Sequence, residues 1–339
     1  MNNMPKALAL LLLVTSLSCK LTGKPGQPAT AENPDTPADS SRRWTLLTDK
    51  ADFPESYNFQ LMSIHDSLWA LHPRGTWYSV DGKKWSRAAA SSPITNLAFL
   101  DYVYFNNALY GLGRLEGNIE RHLWEPAIFR TNNLRSWDTL TRTSNLPRRF
   151  FYHPFVFREK IWIIGGEDET TGFADAWTSG DAVNWVRVAD HLPFGKRSNS
   201  QVVELNGRLY LLNGDVWSSG DGLHWTLETK SIVPGEEIFG YAAVVFDQQI
   251  WLLGCNRNGK FKNEVLTSRD GRHWQAERAP WSPRGGMAAC VHLNNIFATG
   301  GKYGGTPEKT EFVYSNDVWS LAENGVSNSP VKVPDLAQR

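Results

Sequence analysis

Between residues 44 and 322 the chain alternates short apolar runs with polar turns, and the alternation repeats. One unit reads aromatic, any residue, Ser or Thr, any residue, Asp or Asn, Gly, two further residues, then Trp. It occurs as WYSVDGKKW from Trp77, FRTNNLRSW from Phe129, WTSGDAVNW from Trp177, WSSGDGLHW from Trp217 and LTSRDGRHW from Leu266, with a degenerate WSLAENG from Trp319. The first positions lie 52, 48, 40, 49 and 53 residues apart. Upstream of each copy is an aliphatic-aromatic run: LWALHP from Leu68, LYGLGR from Leu109, IWIIGG from Ile161, LYLLNG from Leu209, IWLLGC from Ile250 and IFATGG from Ile296. A polar turn and another apolar stretch precede most of these runs.

Each unit thus predicts four short strands, a to d. Runs of four to eight residues rich in β-branched and aromatic side chains, bounded by turn residues, are strands rather than helices. Asp-Gly and Asn-Gly close tight hairpins because both central positions accept positive φ. No helix of ten or more residues is expected outside the first twenty. Six four-stranded units of this length describe an all-β fold, a six-bladed β-propeller of antiparallel blades. The last unit lacks a tryptophan for strand d, whereas Trp44-Thr45-Leu46-Leu47 precedes the first strand a as an orphan strand d. The N-terminal strand is therefore expected to complete the last blade, which removes two open sheet edges.

The repeat resembles the kelch family of the galactose oxidase/kelch superfamily. The likeness rests on the Gly165-Gly166 and Gly300-Gly301 pairs, the tryptophan of strand d, and Pro147-Arg148 and Pro283-Arg284 ahead of strand a. The Asp-Gly turn also resembles the sialidase Asp-box but is one residue shorter between its Ser and Trp, and turn chemistry alone accounts for it. A kelch-like propeller speaks for a fold rather than an activity. Six-bladed relatives of this kind include sialic-acid mutarotases, so the resemblance admits a carbohydrate isomerase with arginines for the sugar carboxylate and Glu237 as proton carrier. A galactose-oxidase copper site needs two histidines and two tyrosines, one cross-linked to cysteine, and Cys255 has no such partner set.

The first eighteen residues read as a lipoprotein-type signal peptide. An apolar run from Ala7 to Leu17 follows Lys6, too short to cross a bilayer, and Ser16-Leu17-Ser18-Cys19 resembles a lipobox whose cysteine becomes lipidated. Ordinary secretion after cleavage near Ser18 is the alternative. Residues 19–43, proline-containing and nearly free of large apolar side chains, read as a disordered tether, and residues 323–339 as a loose tail. These expectations put the domain in a bacterial cell envelope, lipid-anchored.

Composition narrows the partners. Thirty-five basic and 35 acidic side chains give zero net charge, which excludes a global polycation for nucleic acid. Three cysteines cannot staple 339 residues, and Cys255 and Cys290 are expected as buried free thiols, a disulfide between them being the alternative. There is no zinc, P-loop, EF-hand or nucleophile-elbow motif, so no cofactor and no metal is expected. Function is placed on the face formed by the d–a and b–c loops, which vary in length, while the a–b and c–d turns are short and uniform. Candidate ligand-binding residues there are Arg114, Arg149, Arg197 and Arg284, whose guanidinium groups suit carboxylates, with Trp124, Trp281 and Tyr303 as stacking surfaces. His122 and His153, with Glu237, are the weak catalytic candidates. The expectation is a monomeric binding module for a glycan or protein partner, with a sialic-acid-mutarotase-like enzyme as the alternative.

Fifteen tryptophans are the outstanding feature of the composition. Thirteen fall at repeat positions in strands b, c or d, and only Trp124 and Trp281 stand outside the pattern.

Overall fold

The computed structural model describes residues 43–322 except 58, 89–100, 117–122, 169 and 307–308, and no side chains at 114–116 and 123–126. The expected signal segment, Cys19, the tether, the C-terminal tail and His122 lie outside the described residues. So do the side chains of Arg114 and Trp124.

Six antiparallel sheets make up the fold, and no helix occurs among the described residues. Blade one holds Gln60–Ile64, Ser67–His72, Gly75–Ser79 and Ser86–Arg87 as strands a to d. Blade four shows the unit most plainly: Gln201–Leu205, Arg208–Asn213, Asp215–Ser219 and Trp225–Thr229, paired in that order. Blade six takes three main strands from the end of the domain, Gly285–His292, Asn295–Tyr303 and Val318–Ala322, and its fourth from the beginning. Thr45–Thr48 pairs antiparallel with Val318–Ala322, Thr45 opposite Ser320. Blades five and six each carry one extra short strand on the loop face, Ile238–Phe239 and Val313–Tyr314.

The c–d hairpin has one chemistry in four blades. Ser79, Ser179, Ser219 and Ser268 each donate a hydroxyl to the Asp two residues on, and that carboxylate accepts two backbone N–H groups of its own turn. Thr131 and Asn133 do the same in blade two. These are side-chain caps of a turn, which lock the hairpin locally. The strand d tryptophan then donates its indole N–H to the turn carbonyl, as Trp225 does to Gly222 O at 2.9 Å.

Blades pack through aromatics of strand b. Trp162 lies under the c–d turn of the next blade so closely that a Cβ on Gly222 would sit 2.8 Å from its ring, at a φ of +81°. Only glycine meets both demands there. Tyr210 stands in the same relation to Gly271. The core is accordingly divided into six clusters between neighbouring blades rather than one central mass. Cys255 and Cys290 are buried free thiols in two different clusters, and burial raises both their pKa values, that of Cys255 to about 12.

Candidate functional site

The innermost strands start at the loop face, so the d–a loops deliver their residues to the rim of the central channel. Three of the candidate arginines sit in these loops, and in each case a carboxylate of the same blade takes them. Arg149 pairs with Asp175 through two bonds of 2.7 and 3.0 Å, Arg197 with Asp215 at 2.9 and 3.3 Å, and Arg284 with Asp317 at 2.5 and 3.1 Å. Each of these aspartates opens strand c and also accepts the indole N–H of the tryptophan two residues on: Trp177, Trp217 and Trp319. Further donors reach backbone carbonyls, Arg149 to Gly165 and Pro147, Arg197 to Phe194, Arg284 to Gly300 and Ser282, while Arg284 also donates to the Ser282 hydroxyl and Arg197 Nε has no partner. Arg149 also lies 4.4 Å from the Phe173 ring centre. The three arginines thus tie the start of strand a to the start of strand c across strand b. That corrects the expectation of guanidinium groups converging on a ligand.

Burial alone would raise the Asp175 pKa. The hydrogen bonds from Arg149 and Trp177, with the Arg149 charge, outweigh it and hold the carboxyl below its ordinary value.

Blade five reverses the signs. Arg257, at the end of strand b (Gln249–Arg257), lies between Glu236 of the d–a loop and Glu264 of strand c. The neighbouring Glu237 is exposed, and only its backbone is engaged, with Asn258. Arg197 and Arg284 are taken by Asp215 and Asp317 and make no contact with it, so the carboxylate-and-two-arginine set that the resemblance implied is not assembled.

Trp281 is 2% exposed. It packs edge-on against Trp44 and Trp319 at ring distances of 4.7 and 5.9 Å and fills the junction where the closing strand enters blade six. As a stacking surface it is corrected to core. Tyr303 is half-buried on the loop face, with Lys309 Nζ 4.7 Å from its ring centre.

The channel rim carries a set of polar groups that composition did not single out. Strand register puts Gln60, Asp101, Gln201, Ala242 and Ala288 at one level, opposite Leu71, Leu112, Leu212, Leu253 and Thr299 of their b strands. His153 lies at the same level just ahead of Phe155–Phe157. At this level the residue is polar in blades one to four and alanine in blades five and six, with Ala288 buried in the cluster between blades six and one. Gln60 bonds both backbone groups of Tyr102 in the next blade, at 2.7 and 3.4 Å. His153 Nδ1 stands 3.4 Å from Asp101 Oδ1. Beside it Phe151 takes a φ of +56°, a conformation costly to any side chain. Its carbonyl accepts the N–H of Asn199, a bond between blades that Gly286 and Gly240 repeat at 2.6 Å.

On the opposite face, the a–b turns of blades two and three border an open recess of about 750 Å³ lined by Tyr104, Phe105, Asn106, Asn107, Val156 and Glu159. Its lining holds one carboxylate, Glu159, and no cation. No group of three or more metal-ligating side chains occurs among the described residues.

Against known proteins, residues 133–242 match a family model described as the DUF6242 beta propeller domain. Among solved structures, one titled "Structure of YjhT" superposes with a TM-score of 0.65 at 13% identity, over 79% of this chain and 96% of that one. At that identity the likeness is one of fold. No curated protein matches the chain.

Proposed function

We propose that the propeller is a binding module, exported and held at a membrane by a lipidated Cys19, and that its d–a/b–c loop face recognises a glycan or protein partner. One observation carries the reading: the two faces differ in kind. The c–d face repeats a single turn chemistry from blade to blade, which serves the fold. The loop end of the first strand breaks the repeat, with Gln60, Asp101, His153 and Gln201 in blades one to four and Ala242 and the buried Ala288 at the same level of blades five and six. A symmetric scaffold that departs from its symmetry on one face does so where a ligand is asymmetric. The test is a scan of the full chain against glycans and cell-surface extracts. Asp101→Ala with His153→Gln should abolish capture, and Asp221→Ala on the other face should leave it intact. Equal capture by all three would sink the reading.

A second reading, a sugar-ring enzyme of the mutarotase kind, keeps one favourable observation. The His153–Asp101 contact joins a proton carrier to a carboxylate that can orient it, at the channel rim. Accelerated anomer exchange of an acidic sugar, lost in His153→Gln, is the expected sign; exchange at the rate of the buffer alone counts against it.

A further inference from the structure

Where blades six and one meet on the loop face, a lysine is held without a counter-ion. Lys302 Nζ lies 4.2 Å from the ring centre of Tyr57 and 4.6 Å from that of Phe312. Among the described residues it has neither a carboxylate within ion-pair distance nor a hydrogen-bond acceptor. Tyr57 stacks on Tyr314 at 5.5 Å, and Tyr314 is 37% exposed. Register places Tyr314 directly opposite Lys302 on the short hairpin extension of blade six, so both side chains share the face that looks toward blade one. Neither phenol hydroxyl has a partner among the described residues.

Four arginines drawn into this face are neutralised: Arg149, Arg197, Arg257 and Arg284 each carry a carboxylate. Lys302 is half-buried, and burial holds its ammonium below the usual lysine range. The ammonium can only donate, the two phenols beside it are free to donate as well, and the chemical complement of a half-desolvated cation among such donors is an acceptor with negative charge. The exposed Tyr314 ring beside them offers a flat apolar surface of the kind a pyranose ring covers.

We infer that this patch is a subsite for a carboxylated sugar residue, whose carboxylate supplies the counter-ion of Lys302 while its ring lies on Tyr314. The inference rests on the loop-face reading above and names its ligand class.

The test titrates the full chain with trigalacturonate, with its fully methyl-esterified form and with a hexaglutamate peptide. The acid should bind, and the ester should bind at least about thirtyfold more weakly, the lower end of the scale for loss of one partner of a desolvated charge pair. Lys302→Met should lower affinity for the acid equally, Lys302→Arg should restore part of it, and Tyr314→Ala should weaken both sugars. If Lys302→Met does not fold, reductive ¹³C-methylation of the wild type still decides. The ring currents of Tyr57 and Phe312 should displace the Lys302 dimethyl signal, and the acid alone should move it. No binding of trigalacturonate, equal affinity for acid and ester, preference for hexaglutamate, or a stationary Lys302 signal would each overturn the subsite. Binding of the ester that Asp101→Ala abolishes would do so while leaving the loop-face reading intact. A scan without any ligand would remove both.

Discussion

Arg149, Arg197 and Arg284 owe their roles to partners, not to their own chemistry. Each guanidinium is matched to a carboxylate, and removing one half leaves a charge that is mostly shielded from water. Arg284→Met, which orphans Asp317 beneath Trp319, should destabilise the domain by about 3–5 kcal/mol, read as a lower midpoint in chemical unfolding. Replacing both residues by apolar ones should cost less than the single change. A single substitution within 1 kcal/mol of wild type, roughly the size of a surface pair, would show that the pair is slack. His72 carries a second residue-scale effect. It is 5% exposed among Phe53, Phe59 and Trp77, its Nδ1 accepts the Arg74 N–H, and its Nε2 has no partner. Burial, then the Arg74 charge, lower its pKa to about 4. The unfolded chain therefore binds a proton near pH 6.5 that the folded chain refuses until about pH 4. Stability is full above pH 6.5 and falls as pH drops through that window, by up to about 3 kcal/mol for a shift of this size. His72→Asn, which keeps the acceptor for Arg74, should flatten that part of the pH–stability curve. An unchanged slope would place the titration elsewhere, with His292, whose pKa burial also lowers, as the next residue to test.

At the scale of the element, what the sequence made legible is local. Strand order, the c–d hairpin and the tryptophan of strand d could be read because their determinants lie within nine residues of one another. The staples could not, because Arg149 meets Asp175, Arg197 meets Asp215 and Arg284 meets Asp317 over variable loops, and only the fold sets them side by side. A signal was present all the same: Asp175-Ala176-Trp177, Asp215-Val216-Trp217 and Asp317-Val318-Trp319 repeat an acid two residues before the strand c tryptophan. Trp281 misled for a related reason. It lies in a loop by sequence, yet that loop folds inward and packs on Trp44 and Trp319. The rim residues Asp101 and Gln201 looked like ordinary strand starts until register aligned them. The hairpin also makes a sharp prediction. Gly222→Ala combines a φ of +81° with a Cβ 2.8 Å from the Trp162 ring. It should cost about 2–3 kcal/mol, the sum of left-handed strain and overpacking. Ala182 occupies the equivalent place in blade three at φ +65°, so Ala182→Gly should instead be neutral or mildly stabilising. Urea unfolding of both variants checks the contrast, and equal effects would mean that strain, not the Trp162 contact, governs the turn.

At the scale of the whole molecule, one strand joins the two ends of the domain and orients everything before it. Thr45–Thr48 is the outer strand of blade six, and Trp44 enters the Trp281–Trp319 cluster beside it. The ring is closed by pairing rather than by covalent bond, so it is vulnerable at this seam. A chain beginning at Asp49 exposes Val318–Ala322 as a free sheet edge and opens the tryptophan cluster. It should unfold at markedly lower denaturant than the full chain and self-associate through the bare edge. Light scattering and urea midpoints check both effects, and a truncation as stable and monodisperse as the full chain would mean that the ring does not depend on its seam. The same strand fixes where any anchor must pull. It sits at the outer rim of the propeller, not at the channel. On the lipid-anchored proposal, a 24-residue tether over Lys20–Arg43 has a reach on the order of 70 Å at about 3.1 Å per residue. If Cys19 is the lipidated residue, Cys19→Ser should release the domain into the soluble fraction without changing its unfolding midpoint, because the tether precedes the seam. Shortening the tether by half should preserve membrane attachment but reduce capture of large partners, with small sugars bound as before. Attachment that survives Cys19→Ser would remove the lipid anchor and leave secretion as the route by which the loop face meets its ligand.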